Sequence, residues 1–114
     1  MSDELKKYLA DIQVAIDSID GYLVANRSFQ AYQSNKMLRR AVERELEIIG
    51  EATNAALRLD PELPLSNARR IVDTRNRIIH AYDAVNDAVI WSIIIRHLPV
   101  LKHEIEQIVG RLKD

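Results

Sequence analysis

One segment of this sequence brings together side chains that can hold a phosphate and move protons. Arg75, Asn76 and His80 stand within a run of six residues. A guanidinium can bind a phosphate through two parallel hydrogen bonds, and an imidazole can exchange a proton near neutral pH. On a helix, Asn76 lies one turn before His80 and can orient its ring, whereas Arg75 lies about 140° around the axis from His80. Arg75 and His80 would therefore flank a site from two sides.

The same segment has the pattern of an amphipathic helix, which gives Arg75 a second interpretation. Its apolar stripe consists of Ala68, Ile71, Val72, Ile78, Ile79 and Tyr82. Arg75 falls on that stripe too, at a position where an unpaired guanidinium is costly. On geometry alone, the favoured interpretation is an arginine whose stem packs on the protein while its head reaches water. Tyr82 is equally suited to a core position with its hydroxyl at the rim.

Further arginines make this helix locally basic. Arg69, Arg70, Arg75 and Arg77 place four positive charges within nine residues, although the net charge of the chain is −1. We expect Arg69, Arg70 and Arg77 to contribute to RNA or phosphate binding, because any such contact must come from a local surface. The competing interpretation is a solvated helix face that glutamates balance.

The elements that must position these residues are all predicted to be helices. Apolar residues recur at steps of three and four from Leu5 to Leu23, after Ser2 as a candidate cap. A second stripe runs from Leu38 to Leu59, capped by Ser34 or Asn35 and ending before Pro61.

The third and fourth helices complete the predicted arrangement. Ser66 or Asn67 can cap the third, which runs to about Tyr82, and the fourth follows from Asp87. Pro99 should kink the fourth helix or split it in two. We therefore predict an all-α, antiparallel bundle of four helices, or five if Pro99 splits the last one, forming a single domain over residues 1–114.

Composition narrows the class of protein. The chain is 47% hydrophobic and 29% charged, as is usual for a globular protein, and its lack of cysteine excludes disulfides and thiolate metal sites. The N-terminal residues lack a signal-peptide pattern, and no apolar run approaches the roughly 20 residues needed to span a bilayer. We expect a cytoplasmic protein with no membrane partner, no metal and no cofactor.

The string Arg75-Asn76-Arg77-Ile78-Ile79-His80-Ala81-Tyr82 resembles the signature of the HEPN superfamily. It is similar to the HepT branch in particular, in which a tyrosine stands two positions after the histidine. Ile49-Gly50-Glu51-Ala52 is similar to a recurrent string of that family, and the helix order agrees along nearly the whole chain. Ala81 departs from the family pattern, where glycine often stands, but the change is between two small residues.

This resemblance implies a metal-independent endoribonuclease, the toxin of a HEPN/MNT toxin and antitoxin system, with tRNA a candidate substrate. It implies a homodimer in which two copies each of Arg75 and His80 surround one cleft, with Asn76 as a further catalytic residue. It also implies inhibition by a nucleotidyltransferase antitoxin that transfers AMP to Tyr82, whose added phosphate and adenosine would exclude RNA. The alternatives are a HEPN module that binds RNA or a nucleotide without cleaving it, and a structural partner of another protein.

Five other residues invite interpretation. Glu45 or Glu51 could form an interior ion pair with Arg75. Gly50, in the middle of a helix, is expected to mark a close helix crossing rather than a ligand site. His97 and His103 lie six residues apart, which is not a metal-ligand step along one helix face, so both are expected to have packing or surface roles.

Overall fold

The protein is helical throughout the residues that the computed structural model describes, which are 2–25, 27–80 and 86–112. The helices are α1 (Asp3–Leu23), α2 (Phe29–Ser34), α3 (Lys36–Leu59), α4 (Ala68–His80), α5 (Asp87–Ser92) and α6 (Leu98–Leu112), with a π-helical segment, Ile93–His97, between α5 and α6. The described residues include no strand, so the predicted all-α fold is confirmed.

Side-chain caps fix where four of these helices begin, and at α2 the cap is Ser28, whose hydroxyl accepts from the N–H of Ala31 at 3.1 Å. Ser2 and Asn35 each accept a hydrogen bond from the backbone N–H three residues later, at 3.1 and 3.0 Å. Asn86 accepts from the N–H groups two and three residues later, at 2.8 and 3.2 Å. Each cap satisfies backbone donors that the helix leaves free, a contribution of about 1 kcal/mol. The predicted starts of α1, α3 and α5 are confirmed.

The short helix α2 was not predicted from the sequence. Its six residues are too few to show a helical stripe, and aromatic packing holds it in place. Tyr32 is fully buried, and the centroid of its ring lies 5.5 Å from that of Trp91 on α5. The ring centroid of Phe29 lies 6.3 Å from that of Trp91. These are favourable distances for tilted aromatic pairs. Both pairs join residues that are far apart in the sequence.

The last helical stretch is divided close to Pro99, as predicted. Pro99 is the second residue of α6, where the helix requires no N–H donor from it. In the π-helical segment just before it, the N–H of Leu98 bonds to the carbonyl of Ile93, five residues back instead of four. The wider turn separates α5 from α6 without interrupting the helical course of the chain.

Helix α4 lies between two parts of the bundle. It packs against α3 on one side, and α3 in turn packs against α1. On its other side the N–H of Ser66, just before α4, donates to Glu104 at 3.0 Å, and Arg70 meets His97 at 3.1 Å. The later residue of the α4 side, Arg70, meets the earlier residue of the last helical stretch, His97. Helix α4 is therefore antiparallel to that stretch. In the described part of the chain, no helix has the length and apolar character needed to cross a membrane.

Candidate active site on helix α4

Arg75 lies where α3 and α4 cross most closely. A Cβ atom built on Gly50 would overlap the Cβ of Arg75 and lie 2.8 Å from its Cγ and 3.3 Å from the carbonyl oxygen of Ile71. No larger residue fits at position 50 unless the two helices separate or Arg75 moves. The absence of a side chain on Gly50 therefore makes the space for the arginine stem, and Gly50 marks a close crossing as predicted.

The guanidinium of Arg75 is oriented by its neighbour on the helix. Its Nη1 donates to the Oδ1 of Asn76 at 3.0 Å, while its buried Nε has no hydrogen-bond partner among the described residues. Arg75 as a whole is half-buried, which agrees with a packed stem and a solvated head. With one lone pair of its oxygen engaged by Arg75, the Asn76 side chain still has its NH2 group and a second lone pair to offer another group.

The predicted interior ion pairs of Arg75 do not form in the described structure. Neither Glu45 nor Glu51 brings a carboxylate oxygen within 4.0 Å of the guanidinium. Glu45 lies five residues before Gly50, about 140° around α3 from the crossing, so it faces away from α4. One of its oxygens is buried without a hydrogen-bond partner, and burial raises the pKa of its carboxyl above the ordinary value, although Arg44 opposes that shift.

A cavity of 270 Å³ opens beside the Arg75 stem. Helices α1, α3 and α4 all contribute to its wall, through Tyr8, Gly50, Glu51, Asn54, Arg58 and Arg75 among others. Glu51 therefore shares this cavity with Arg75 without pairing with it. The wall carries two guanidinium groups, so the cavity can accept a small anion such as one phosphate group.

The other three arginines lie on the opposite flank of α4. Arg69, Arg70 and Arg77 line an open groove of 610 Å³ between α4 and α5, which we call the α4–α5 groove. Its remaining wall is formed by Ser66, Asn67, Asp73, Thr74, Val89, Ser92 and Ile93. Arg75 and Asn76 do not line it. The structure thus brings together Arg69, Arg70 and Arg77 in one place and Arg75 with Asn76 in another.

His97 fixes the position of one of these arginines, a contact that sequence reasoning missed. The Nη1 of Arg70 lies 3.1 Å from the Nε2 of His97. Burial lowers the pKa of His97, and the charges of Arg70 and Arg96 lower it further. The neutral imidazole can then accept a hydrogen bond from the guanidinium. The two residues are 27 positions apart, and helical spacing predicts contacts only within one helix. The sequence pattern alone therefore does not predict this pair.

His80 is the last residue of α4, one helical turn after Asn76. The backbone therefore has the predicted register between Arg75, Asn76 and His80. The side chain of His80 lies outside the described part of the structure, as does Tyr82 as a whole, so their predicted roles stay predictions. Within the described ranges, no three His, Asp or Glu side chains are grouped so that they could hold a metal ion.

The chain is thus a helical bundle with an Arg-Asn pair fixed at a helix crossing and a histidine one turn later. A family model described as "Ribonuclease HepT-like" matches residues 6–108. The chain belongs to this HepT-like family of the HEPN class, so the predicted resemblance is confirmed.

Individual relatives agree with the family match over nearly the full chain. "Probable ribonuclease HepT" from Thermococcus cleftensis is 36% identical over 107 residues, covering 90% of this chain and 94% of the relative. A protein of Methanocaldococcus jannaschii that is named as an RNase is 31% identical with the same coverage. Another protein named as an RNase, from Caldanaerobacter subterraneus, is 29% identical and covers 96% of this chain and 94% of the relative. No solved structure matches the chain significantly.

Proposed function

We propose that this protein is a metal-independent endoribonuclease whose reaction centre is formed by Arg75, Asn76 and His80. The observation that carries the proposal is Arg75, whose stem is packed over Gly50 and whose guanidinium is tied to Asn76 one turn before His80, in a chain of the HepT-like family. Arginine in a fixed orientation suits a phosphate, and histidine at the end of the same helix suits proton transfer.

The reaction requires two proton transfers and one displacement at phosphorus. A general base removes the proton of a ribose 2′-hydroxyl, whose oxygen attacks the adjacent phosphorus. The bond from phosphorus to the 5′-oxygen breaks, and a general acid protonates that leaving oxygen. The products are a 2′,3′-cyclic phosphate and a 5′-hydroxyl. Arg75 and the Asn76 amide stabilise the negative charge that builds up on the phosphate oxygens.

One His80 per chain cannot serve as both base and acid in a single concerted step. A two-fold homodimer that joins the α4 helices of two copies supplies two His80 and two Arg75 to one cleft. Each histidine then takes one of the two proton transfers. Dimerisation is in this proposal a condition of catalysis.

The protein acts, in this proposal, as the toxin of a toxin and antitoxin pair. Its antitoxin is an MNT-type nucleotidyltransferase that transfers AMP from ATP to the hydroxyl of Tyr82 and releases pyrophosphate. Tyr82 stands two residues after His80, so the added phosphate and adenosine would occupy the entrance that RNA needs. Joint expression with such an enzyme should increase the mass by one AMP unit, and Tyr82→Phe should abolish the increase. Modification that persists in Tyr82→Phe would contradict the assignment of the tyrosine.

Cleavage without metal tests the proposal. Purified protein whose mass shows an unmodified Tyr82 is incubated with total RNA and with tRNA in EDTA, beside His80→Ala. His103→Ala is the matched control, because His103 is an exposed residue of α6. We expect cleavage by the wild type and by His103→Ala, cyclic phosphate at the 3′ ends, and none by His80→Ala. Absence of cleavage by the wild type would favour a module that binds RNA without cutting it.

Mixed dimers test the shared cleft. A dimer with one wild-type and one His80→Ala chain, isolated through two different tags, retains half of the activity if each chain works alone. We expect it to lose nearly all activity, because one of the two proton transfers then has no donor or acceptor. Half-activity would rule out the composite site and leave the endoribonuclease assignment intact.

A further inference from the structure

The α4–α5 groove lies on a different flank of α4 from Arg75 and its hydrogen-bond partner Asn76. Its volume of 610 Å³ falls within the range of ordinary ligand sites, roughly 300–1,000 Å³. Arg75 and Asn76 line no part of it, and Arg70 lies about 140° around α4 from Arg75. A function for the groove must therefore be found in its own residues.

The groove carries an excess of positive charge. Arg69, Arg70 and Arg77 line it, and Asp73 is the only acidic residue among the described residues of its wall. Among the described residues, none of these three arginines has a carboxylate within 4.0 Å, although seven such ion pairs occur elsewhere. Their charges are therefore left for an anionic ligand, and arginine is the residue best shaped for a phosphate.

One of these guanidinium groups is held in place before any ligand arrives. Arg70 contacts the neutral His97 at 3.1 Å, so one of its five N–H donors is used and the rest stay available. A histidine partner orients the guanidinium without cancelling its charge, which a carboxylate would do. Such an arrangement lowers the entropy lost when Arg70 binds a phosphate.

The remaining wall suits the rest of a nucleotide. Val89 gives an exposed apolar surface with the buried Ile93 beside it, and the side chains of Asn67, Ser66 and Ser92 offer neutral hydrogen-bonding groups. The backbone N–H of Ser66 is already engaged by Glu104 at 3.0 Å, so this group is not available to a ligand. Phosphate-binding arginines beside an apolar and neutral polar wall match the parts of one RNA nucleotide.

We propose that the α4–α5 groove binds a nucleotide of the RNA strand other than the one cleaved, with Arg70, oriented by His97, as the main contact to its phosphate. This inference rests on the proposed function, because it takes the ligand to be the RNA substrate. Arg70 and Arg77 hold the strand, while Arg75, on the other flank of α4, meets the phosphate that reacts. His97 is a positioning residue that acts through Arg70.

Binding measured apart from cleavage tests the proposal. Fluorescent single-stranded RNA is titrated against the full chain carrying His80→Ala, with Arg70→Gln or Arg111→Gln added. Arg111, an exposed residue in the last turn of α6, loses the same charge outside the groove. We expect Arg70→Gln to weaken binding about tenfold, the loss of one charge-assisted hydrogen bond, and to reduce the salt slope by about one. Arg111→Gln should bind as the parent does, and equal affinities for the two variants would overturn the proposal.

A substitution that keeps every charge distinguishes RNA binding in the groove from a general electrostatic attraction of RNA to the protein. Ser92→Tyr fills the groove and leaves the net charge unchanged. We expect it to weaken RNA binding by a factor similar to Arg70→Gln, with a salt slope like that of the parent. Undiminished binding by Ser92→Tyr, with a circular dichroism spectrum like the wild type, would show that RNA does not enter the groove.

Inorganic phosphate distinguishes RNA from a free anion as the ligand. We expect millimolar phosphate to compete with RNA in the parent and to lose that effect in Arg70→Gln. Phosphate binding that depends on Arg70, together with RNA binding that does not, would overturn the proposal and assign the groove to a free anion. Because these assays use a chain without His80, failure of the nuclease proposal leaves their outcome unaffected.

Discussion

The two flanks of α4 present arginines in opposite ways. On the α3 flank, the Arg75 stem is packed over Gly50, its Nε is buried, and its Nη1 is tied to Asn76. On the α5 flank, Arg70 and Arg77 are exposed on the wall of an open groove. The same residue type on the same helix is therefore packed into a helix crossing on one side and exposed to solvent on the other.

This difference assigns different tasks to the two sides. A fixed guanidinium can stabilise charge that develops in a transition state, because its orientation needs no further adjustment when the charge appears. An exposed guanidinium in a groove contributes mainly to holding the substrate, equally before and during reaction. The α3 flank should thus control the rate of the chemical step and the α5 flank the affinity for RNA.

The largest effect is expected from Arg75→Ala. Removing the guanidinium takes away its stabilisation of the phosphate oxygens, and loss of one such donor lowers the rate about 100- to 1,000-fold. Single-turnover cleavage at saturating RNA measures that rate. Arg75→Lys should recover only part of it, because lysine keeps the charge but lacks the planar fork. An Arg75→Ala variant that cleaves RNA at the rate of the Arg111→Ala control would remove the contrast between the flanks.

A smaller effect on cleavage is expected from Gly50→Ala. The added methyl overlaps the Arg75 stem, so the guanidinium shifts and cleavage should fall about tenfold, as expected for catalytic groups that are slightly misplaced. The strain of overpacking costs about 1–3 kcal/mol, against which alanine gains about 1 kcal/mol in helix propensity. Urea unfolding beside the cleavage assay separates loss of stability from loss of activity.

Two other glycines supply matched controls for Gly50→Ala. A Cβ on Gly21 or Gly110 would meet nothing within 4 Å, so alanine there should raise the unfolding free energy by up to about 1 kcal/mol. Cleavage should remain at the wild-type rate in both. If all three variants behave alike, position 50 has no special relation to Arg75.

Asp73→Asn should strengthen RNA binding. Asp73 lines the α4–α5 groove among the arginines, so its carboxylate repels the phosphate backbone. A surface charge effect of about 0.2–1 kcal/mol corresponds to a gain in affinity of up to about fivefold. Fluorescence titration at low salt measures the gain, and Glu106→Gln, an exposed carboxylate of α6, is the control. Equal gains from both substitutions would indicate a general charge effect instead of a local one.

The smallest effect is expected from Glu45→Gln. Burial raises the folded-state pKa of Glu45, so the folded protein holds its proton more tightly than the unfolded chain does. This carboxyl therefore costs stability that grows as the pH rises above its ordinary pKa and is complete above its folded-state pKa. Glutamine removes the cost, so the unfolding free energy at pH 7 should stay equal or rise, with less gain toward pH 4.

The Glu45 experiment also tests whether Arg75 has an acidic partner. If Glu45 were paired with Arg75, Glu45→Gln would destabilise the protein at pH 7 and reduce cleavage, because an uncompensated charge would be left beside the crossing. Urea unfolding at both pH values decides between these outcomes, with Glu47→Gln, whose carboxylate pairs with Arg44 instead of Arg75, for comparison.

Local sequence patterns predicted most of the fold. Residues such as Ser2, Asn35 and Asn86 determine helix starts through contacts within one turn, and Pro99 acts on its own helix. The pattern did not predict α2, because the packing of Tyr32 on Trp91 joins residues far apart in sequence. Periodicity describes one helix at a time and contains no such contact.

The candidate site was also predicted only as far as contacts within one helix determine it. The spacing of Arg75, Asn76 and His80 follows from helix geometry, and a glycine in mid-helix indicated a close crossing. Which residue crosses Gly50, and which histidine meets Arg70, depends on how separate helices pack. The interior partnership of Arg75 with Glu45 was wrong for this reason, since a position on an apolar stripe does not say which neighbour it faces.

The most direct test of the contrast between the flanks is single-turnover cleavage of one RNA over a range of protein concentrations, for wild type, Arg75→Gln and Arg70→Gln. We predict that Arg75→Gln lowers the rate at saturation with little change in the half-saturating concentration. Arg70→Gln should raise the half-saturating concentration with little change in the rate at saturation. If both variants alter the same parameter by the same factor, the two sides of α4 do not divide chemistry from binding.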